Sequence, residues 1–333
     1  MLRHRLILLF FFGITTFSGC QAQEYGKQFL TLEKEIALQN VQGRIDHIDV
    51  NVKDQVAFVA ALGNNTLEVV DLKSGKVTGS IKGLDEPQGV AYIVRHDELF
   101  VANGGTGECG FYNALTLKKT GSIKFNDDAD DVRYDVDADR IYVGYGSGGI
   151  AIIDAASHKQ VGDITLPAHP ESFQFDVSAN KLWVNLPGAG MIGAVDLKLL
   201  KLSARWSKLF PRANFPMAYD KDQHRIIVGY RVPAILVVYD SETGKELFSA
   251  PMVGDVDDLY WDRSTRQIFV SGGGGAVNIF RQSGDTSYTR IANVTTRGGA
   301  RTSLVVPEPG LFLIAARAAG DQPAALLVYK ISR

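Results

Sequence analysis

The sequence predicts an all-β chain made of seven copies of one small sheet. Short runs rich in Val, Ile and aromatic residues recur about every 42 residues, and no useful stretch after residue 28 has helical periodicity. Gly, Asn and Asp turn signals divide each copy into four extended segments. The 34 glycines among only 22% charged residues also favour many tight turns. Four strands per unit predict a single-domain seven-bladed β-propeller over residues 29–332.

The first unit shows the pattern most clearly. Its four predicted strands are residues 48–50, 56–60, 67–70 and 77–81. Turn signals at Lys53, Gly63 and Ser74 separate them. The third strand of a unit usually ends in Asp, and the equivalent residues of the first five units are Asp71, Asn113, Asp154, Asp196 and Asp240. This spacing fixes the register from one unit to the next.

The two ends of the repeat region predict how the ring closes. A lone four-stranded sheet cannot cover both of its apolar faces, so neighbouring sheets must stack into a closed circle. The last unit, residues 299–332, supplies only three strands, and residues 28–38 resemble the missing fourth. We therefore expect the N-terminal strand to complete the last blade as its outer strand. Because a closed ring leaves no free sheet edge to drive pairing, we expect a monomer.

Residues 57–71 carry a family resemblance. An aromatic residue and Val (Phe58, Val59), a Gly-Asn turn and an apolar pair before Asp71 are similar to the YVTN-type propeller repeat. The pattern recurs with decay along the chain, which therefore resembles the YncE-like seven-bladed propellers of bacteria. The resemblance implies an exported binding or interaction scaffold and specifies no reaction.

Residues 1–19 resemble a lipoprotein-type signal peptide. Arg3 and Arg5 precede an apolar run at residues 6–12, and small residues lead to Cys20. Cys20 would then carry the lipid, residues 20–28 would form a short linker, and the protein would be a periplasmic or outer-membrane lipoprotein of the cell envelope. Phe17 stands where that pattern usually has Leu, so ordinary cleavage, for example after Ala22, is the alternative.

Composition excludes several function classes. The 35 Lys and Arg residues nearly balance 37 Asp and Glu residues, so nucleic acid is not an expected partner. Two cysteines form neither a disulfide framework nor a four-thiolate metal site. Cys109 has Glu108 beside it, which opposes thiolate formation, and we expect an inert buried thiol.

The repeat register predicts which residues meet at the mouth of the central channel. Counting back thirteen residues from the last apolar residue of each inner hairpin gives Asp46, Gln88, Asp130, Glu171, Phe215, Asp257 and Arg301. The position after it adds His47, Asp131 and Asp258, and Arg44 lies nearby. Function in propellers usually lies where these strand starts converge. The predicted ligand-binding residues are Arg44, Asp46, His47, Gln88, Asp130, Asp131, Glu171, Asp257, Asp258 and Arg301.

Three interpretations of this mouth remain open. In the first, it binds a small ligand or an envelope protein, and the chain is a binding module. In the second, it holds a divalent cation (Ca²⁺ or Mg²⁺) that assists a hydrolase of the lactonase type. The metal ligands would then be Asp46, His47, Asp130, Glu171 and Asp257. In the third, the carboxylates and arginines only pair with one another around water. No motif specifies a reaction, so the sequence does not decide whether the protein is an enzyme.

Overall fold

Seven four-stranded antiparallel sheets form a ring in the computed structural model, which describes residues 28–207 and 209–332. The predicted seven-bladed β-propeller is therefore confirmed. The proposed signal peptide, residues 1–19, and Cys20 lie outside the described residues. In the described ranges, the only helices are one-turn 3₁₀ segments at Leu62–Asn64, Val177–Ala179 and Pro187–Ala189, and no helix is long and apolar enough to cross a membrane.

The strands follow the repeat in chain order. The N-terminal strand and blades one to three comprise β1 (Leu30–Leu38), β2 (Ile48–Asn51), β3 (Val56–Ala61), β4 (Thr66–Asp71), β5 (Lys76–Lys82), β6 (Pro87–Ile93), β7 (Glu98–Asn103), β8 (Glu108–Asn113), β9 (Lys119–Lys124), β10 (Ala129–Asp135), β11 (Arg140–Tyr145), β12 (Gly149–Asp154) and β13 (Lys159–Thr165). Blades four to seven comprise β14 (Phe173–Asp176), β15 (Lys181–Leu186), β16 (Met191–Asp196), β17 (Lys201–Ser207), β18 (Arg212–Asp220), β19 (Arg225–Val232), β20 (Ala234–Asp240), β21 (Glu246–Pro251), β22 (Val256–Asp262), β23 (Gln267–Gly272), β24 (Ala276–Gly284), β25 (Ser287–Thr295), β26 (Thr302–Val306), β27 (Leu311–Ala316) and β28 (Ala324–Ile331).

Strand order gives the propeller two distinct faces. In each blade the first strand lines the channel, and successive strands alternate in direction toward the outside. The starts of the first strands and the second-to-third turns therefore lie at one end of the channel, which we call the upper face. The first-to-second and third-to-fourth turns lie at the other end, the lower face.

The N-terminal strand closes the ring as predicted. β1 pairs antiparallel with β28, from Leu30 opposite Ile331 to Leu38 opposite Ala324, and gives the last blade the strand order β1-β28-β27-β26. The hydroxyl of Thr302 in this blade also donates a hydrogen bond to the carbonyl of Ile45, 3.1 Å away, just before β2. Strands from both ends of the chain thus share one sheet.

Apolar side chains fill each gap between neighbouring blades. The described residues form seven buried clusters, one for every adjacent pair of blades, including the pair that joins the last blade to the first. The aromatic residues that recur at one register position of the second strands are all buried there: Phe58, Phe100, Tyr142, Trp183, Phe269 and Phe312. Because each large ring removes apolar area from water on both sides of a gap, stacking stabilises every sheet through its neighbours.

The expectation that the ring leaves no free sheet edge was wrong. The outermost strand of every blade, such as β5 or β9, has a neighbour on one side only. Closure removes the gap between blades, but it does not pair the outer edge within a blade. Several of these strands begin with lysine (Lys76, Lys119, Lys159 and Lys201), and charge at an edge opposes strand pairing between molecules. A monomer remains a prediction.

Candidate ligand-binding site at the channel mouth

A polar cavity of about 230 Å³ opens at the upper end of the channel. It is lined by Arg44, Asp46, His47, Gln88, Asp128, Asp130, Asp131, His169, Glu171, Ser172, Phe215, Arg231, Asp257, Asp258 and Arg301. All ten residues that the register predicts for the mouth are in this set. The structure thus brings the predicted residues together, while their role in binding stays a prediction.

Bulges at the start of several inner strands shape this layer. The pairing of first and second strands is interrupted between Ala129 and Val132 in the third blade and between Val256 and Asp258 in the sixth. In a regular strand, successive side chains point to opposite faces, whereas a bulge redirects them. Consecutive carboxylates of these blades, such as Asp257 and Asp258, therefore both line the cavity.

The arginines of the mouth already have carboxylate partners. Arg44 donates to Asp46 Oδ2 at 3.0 Å. Arg301 contacts Asp257 Oδ2 at 2.7 Å through Nε, and Arg231 pairs with the other oxygen of Asp257. Burial, and to a smaller extent its acidic neighbours, raises the pKa of Asp46 to about 6. The guanidinium groups are thus engaged within the protein.

Two further carboxylates, Asp131 and Asp258, accept hydrogen bonds from the backbone of the next blade. Asp131 pairs with Arg133 and also accepts from the backbone N–H of Phe173 at 3.3 Å. Asp258 Oδ2 accepts from the backbone N–H of Ser303 at 2.7 Å. Burial raises the pKa of Asp258 to about 7, since one backbone donor offsets only part of the lost hydration. These contacts fix the innermost strands of neighbouring blades to each other.

Asp130 lies between two imidazoles. Its Oδ1 is 3.6 Å from His47 Nε2, and its Oδ2 is 3.8 Å from His169 Nε2. Burial favours the neutral carboxyl, but the two imidazoles outweigh burial and hold the pKa of Asp130 well below its usual range. Burial likewise opposes charge on His169, yet Asp130 and a 2.6 Å hydrogen bond to the Gly146 carbonyl raise its pKa to about 9. The distances from Asp130 to His47 and to His169 both exceed hydrogen-bond length, and the buried Oδ1 of Asp130 accepts no hydrogen bond.

Glu171 differs from every other ionisable side chain that lines the cavity. Within the described ranges its carboxyl group forms no hydrogen bond or ion pair, although it is partly buried. Burial, followed by the charges of Asp130 and Asp257, raises its pKa to about 8. Burial therefore favours the neutral form of a carboxyl group that would be ionised in water.

Three polar residues of the mouth, Asp128, His169 and Arg231, were not predicted from the register. Asp128 and His169 lie two residues before Asp130 and Glu171, at the register position of Arg44, so the same count could have found them. Asp128 Oδ1 accepts from Gln88 Nε2 at 2.8 Å. Arg231 lies near the end of β19, with its guanidinium carbon 3.7 Å from the centre of the Phe215 ring. One signal could have found Arg231, because the equivalent residue of three other units is glycine (Gly104, Gly146 and Gly273).

The geometry does not assemble a metal centre from the predicted ligands. Among residues 28–207 and 209–332, no three His, Cys, Asp or Glu side chains are placed to hold a metal ion together. Asp46 and Asp257 are turned toward arginines, and Asp130 is turned toward imidazoles. A Ca²⁺ or Mg²⁺ site, and the hydrolase that would depend on it, stays a prediction from sequence.

A second cavity of about 390 Å³ continues along the channel below the first. The two cavities share His47 and Asp258, and Arg133, Gln174 and Tyr260 line the lower one. These lower groups are satisfied within the protein; for example, the Tyr260 hydroxyl donates to the Ser303 carbonyl at 2.7 Å. The mouth, and not this lower chamber, holds the unpartnered carboxyl.

Comparisons with known proteins match the architecture. A chain in the crystal structure of the mitotic checkpoint complex is 15% identical, with all of both chains covered and a TM-score of 0.77. The WD40 repeats of RRP9 are 8% identical (90% of this chain and 97% of that chain, TM-score 0.76), and U3-55K is 8% identical (90% and 98%, TM-score 0.77). No protein-family profile and no curated relative matches the chain. At these identities the likeness shows the fold alone: a seven-bladed β-propeller, a class that includes interaction modules.

Proposed function

We propose that the protein is a binding module whose channel mouth holds the positively charged group of a small ligand or of a partner's side chain. The observation that carries this proposal is the unpartnered carboxyl group of Glu171 in the cavity. The cavity is smaller than the roughly 300–1,000 Å³ of sites for drug-sized ligands, which favours a small molecule or a single inserted side chain.

Charge pairing favours a cation over an anion. The cations of the mouth, such as Arg231 and Arg301, already contact carboxylates, so an anionic ligand would have to displace an existing partner. A primary amine beside Glu171 would instead supply the missing hydrogen-bond donor and stabilise the ionised carboxylate. The buried Oδ1 of Asp130 is a second acceptor in the same layer.

Three matched probes test the proposal. We expect n-butylamine to bind and to raise the melting temperature, and n-butanol and butyrate to have little effect. Glu171→Gln should weaken n-butylamine binding about tenfold or more, since a hydrogen bond to a charged group contributes about 1.5–3 kcal/mol. Glu33→Gln changes an exposed glutamate of β1 and should leave binding unchanged. Equal binding of the three probes, or full affinity in Glu171→Gln, would refute the proposal.

We also propose that the chain is a YncE-like protein that is exported and held at the cell envelope by a lipid on Cys20. The support is the sequence of residues 1–20 and the repeat pattern of residues 57–71. Mass spectrometry of the protein from the membrane fraction of a bacterial host tests the lipid. A diacylglyceryl modification on Cys20 would support the proposal, whereas an N-terminus at Gln23 or a free Cys20 would contradict it.

A further inference from the structure

Four valines form an exposed arc on the lower face, away from the candidate site. Val52, Val94, Val136 and Val177 occupy the same position of the first-to-second turn in four consecutive blades, at steps of 42, 42 and 41 residues. Each is 44% to 55% exposed. None of the four valines belongs to the buried clusters between blades, and clustered exposed apolar residues mark interaction surfaces.

The outer turns of the same blades add further apolar and basic side chains to this face. Leu115 and Leu199, in third-to-fourth turns, are 84% and 65% exposed. Exposed lysines without an ion-pair partner in the described ranges lie in three of the outer turns (Lys73, Lys118 and Lys198) and at the first residue of β13 (Lys159). The nearby turn carboxylates are used inside their own turns; Asp196 Oδ1, for example, accepts from the N–H of Lys198 at 2.8 Å.

The other blades limit the arc to one side of the face. The fifth and sixth blades have Lys221 and Arg263 in place of the valine, and these pair with Asp176 and Asp222. The seventh has Pro307. The apolar surface is therefore confined to the first four blades, and exposed lysines of the outer region and exposed aspartates of the first-to-second turns (Asp54, Asp97 and Asp137) lie around it.

Both ends of the described chain lie on the lower face. β1 begins there at Leu30, and the backbone N–H of Ser332 donates to the Phe29 carbonyl at 2.9 Å. Cys20 is nine residues before Phe29, so a lipid on it would lie within about 30 Å of this face even if the chain were fully extended. An anchor at Cys20 would therefore hold the lower face toward the membrane and leave the channel mouth directed away from it.

We infer that the lower face of blades one to four lies on the surface of a lipid bilayer. The valines and leucines enter the headgroup layer, and the four lysines contact lipid phosphates. The inference rests on the proposed lipid at Cys20, because that lipid would hold this face close to the bilayer. The docked face leaves the cation site of the mouth accessible from solution.

Two valines of similar exposure on opposite faces allow a matched test. Val94 on the lower face is 55% exposed, and Val232 beside Arg231 on the upper face is 53% exposed. Each is replaced by cysteine in the full chain and labelled with an environment-sensitive dye. Cys109 does not compete, since burial raises the pKa of its thiol. The lipidated protein is reconstituted with vesicles of phosphatidylethanolamine and phosphatidylglycerol.

The expected result is a blue shift of emission for Val94→Cys and none for Val232→Cys. Vesicle-bound protein with no shift at Val94 would overturn the inference and leave the anchor in place. A concentration-dependent shift at Val94 without vesicles would overturn it in favour of a second copy of the chain. If the protein does not float with vesicles, the anchor and this inference both fail, while n-butylamine binding at the mouth is unaffected.

Discussion

Replacing Glu171 with glutamine tests the electrostatics of the channel mouth through stability alone, without a ligand. The unfolded chain releases the Glu171 proton near pH 4.5, whereas the folded protein releases it near pH 8. Between these values the folded state binds more protons, so this group makes the free energy of unfolding decrease as pH rises. Glutamine keeps the shape of the neutral carboxyl and removes the titration.

The magnitude follows from the difference between the two pKa values. At about 1.4 kcal/mol for each pKa unit, a rise from 4.5 to about 8 corresponds to at most about 5 kcal/mol. Because Glu171 is partly open to solvent, which screens its charge, we expect about 2 kcal/mol. Relative to wild type, Glu171→Gln should therefore gain about 2 kcal/mol of stability between pH 4.5 and pH 8.

Urea unfolding at a series of pH values measures this difference directly. The free energies of unfolding of wild type and Glu171→Gln should diverge as pH rises, with the variant more stable at the alkaline end. Glu33→Gln, on the exposed part of β1, should follow the wild-type curve. Parallel curves for wild type and Glu171→Gln would show that Glu171 ionises normally and that the mouth does not hold an unsatisfied carboxyl.

Three other outcomes follow from the structure. Leu38→Ala, in the buried part of β1, should lower the free energy of unfolding in urea by about 3 kcal/mol. Leu32→Ala, at a side chain that is 47% exposed, should change it by less than about 0.5 kcal/mol. Equal effects of the two substitutions would contradict ring closure by β1. Asp130→Asn should lower the pKa of His169 from about 9 toward 6.5 in an NMR titration, and an unchanged pKa would mean that Asp130 does not control this imidazole. Cys109 should react with iodoacetamide only after unfolding, since it is buried and burial raises its pKa; fast labelling of the native protein would place it at the surface.

The repeat made most of the fold predictable. Spacing of 41 to 44 residues located every inner strand, because each blade needs the same length to reach from the channel to the rim. The three-strand last unit predicted pairing of β1 with β28, which the structure shows. The outer edges were misjudged, because a repeat pattern describes how blades stack and not what lies beside β5 or β9.

The site was predictable only where it follows the repeat. Asp46, Asp130 and Glu171 share one register position, so counting placed them at the mouth. His169 also follows the repeat, at the register position of Arg44, and was overlooked. Arg231 stands where three other units have glycine, and three-dimensional packing shows that its side chain reaches the channel. Sequence spacing also did not predict the bulges that direct consecutive side chains into the cavity, because a bulge changes strand pairing without changing the repeat length.

Proton release on amine binding tests the central claim most directly. Titration calorimetry of n-butylamine at pH 7 in two buffers of different ionisation enthalpy gives the number of protons released. Since burial raises the pKa of the Glu171 carboxyl group and the group must ionise to pair with an ammonium group, wild type should release protons on binding, up to one for each ligand bound. Amine binding to wild type without proton release, or the same release from Glu171→Gln, would contradict the account.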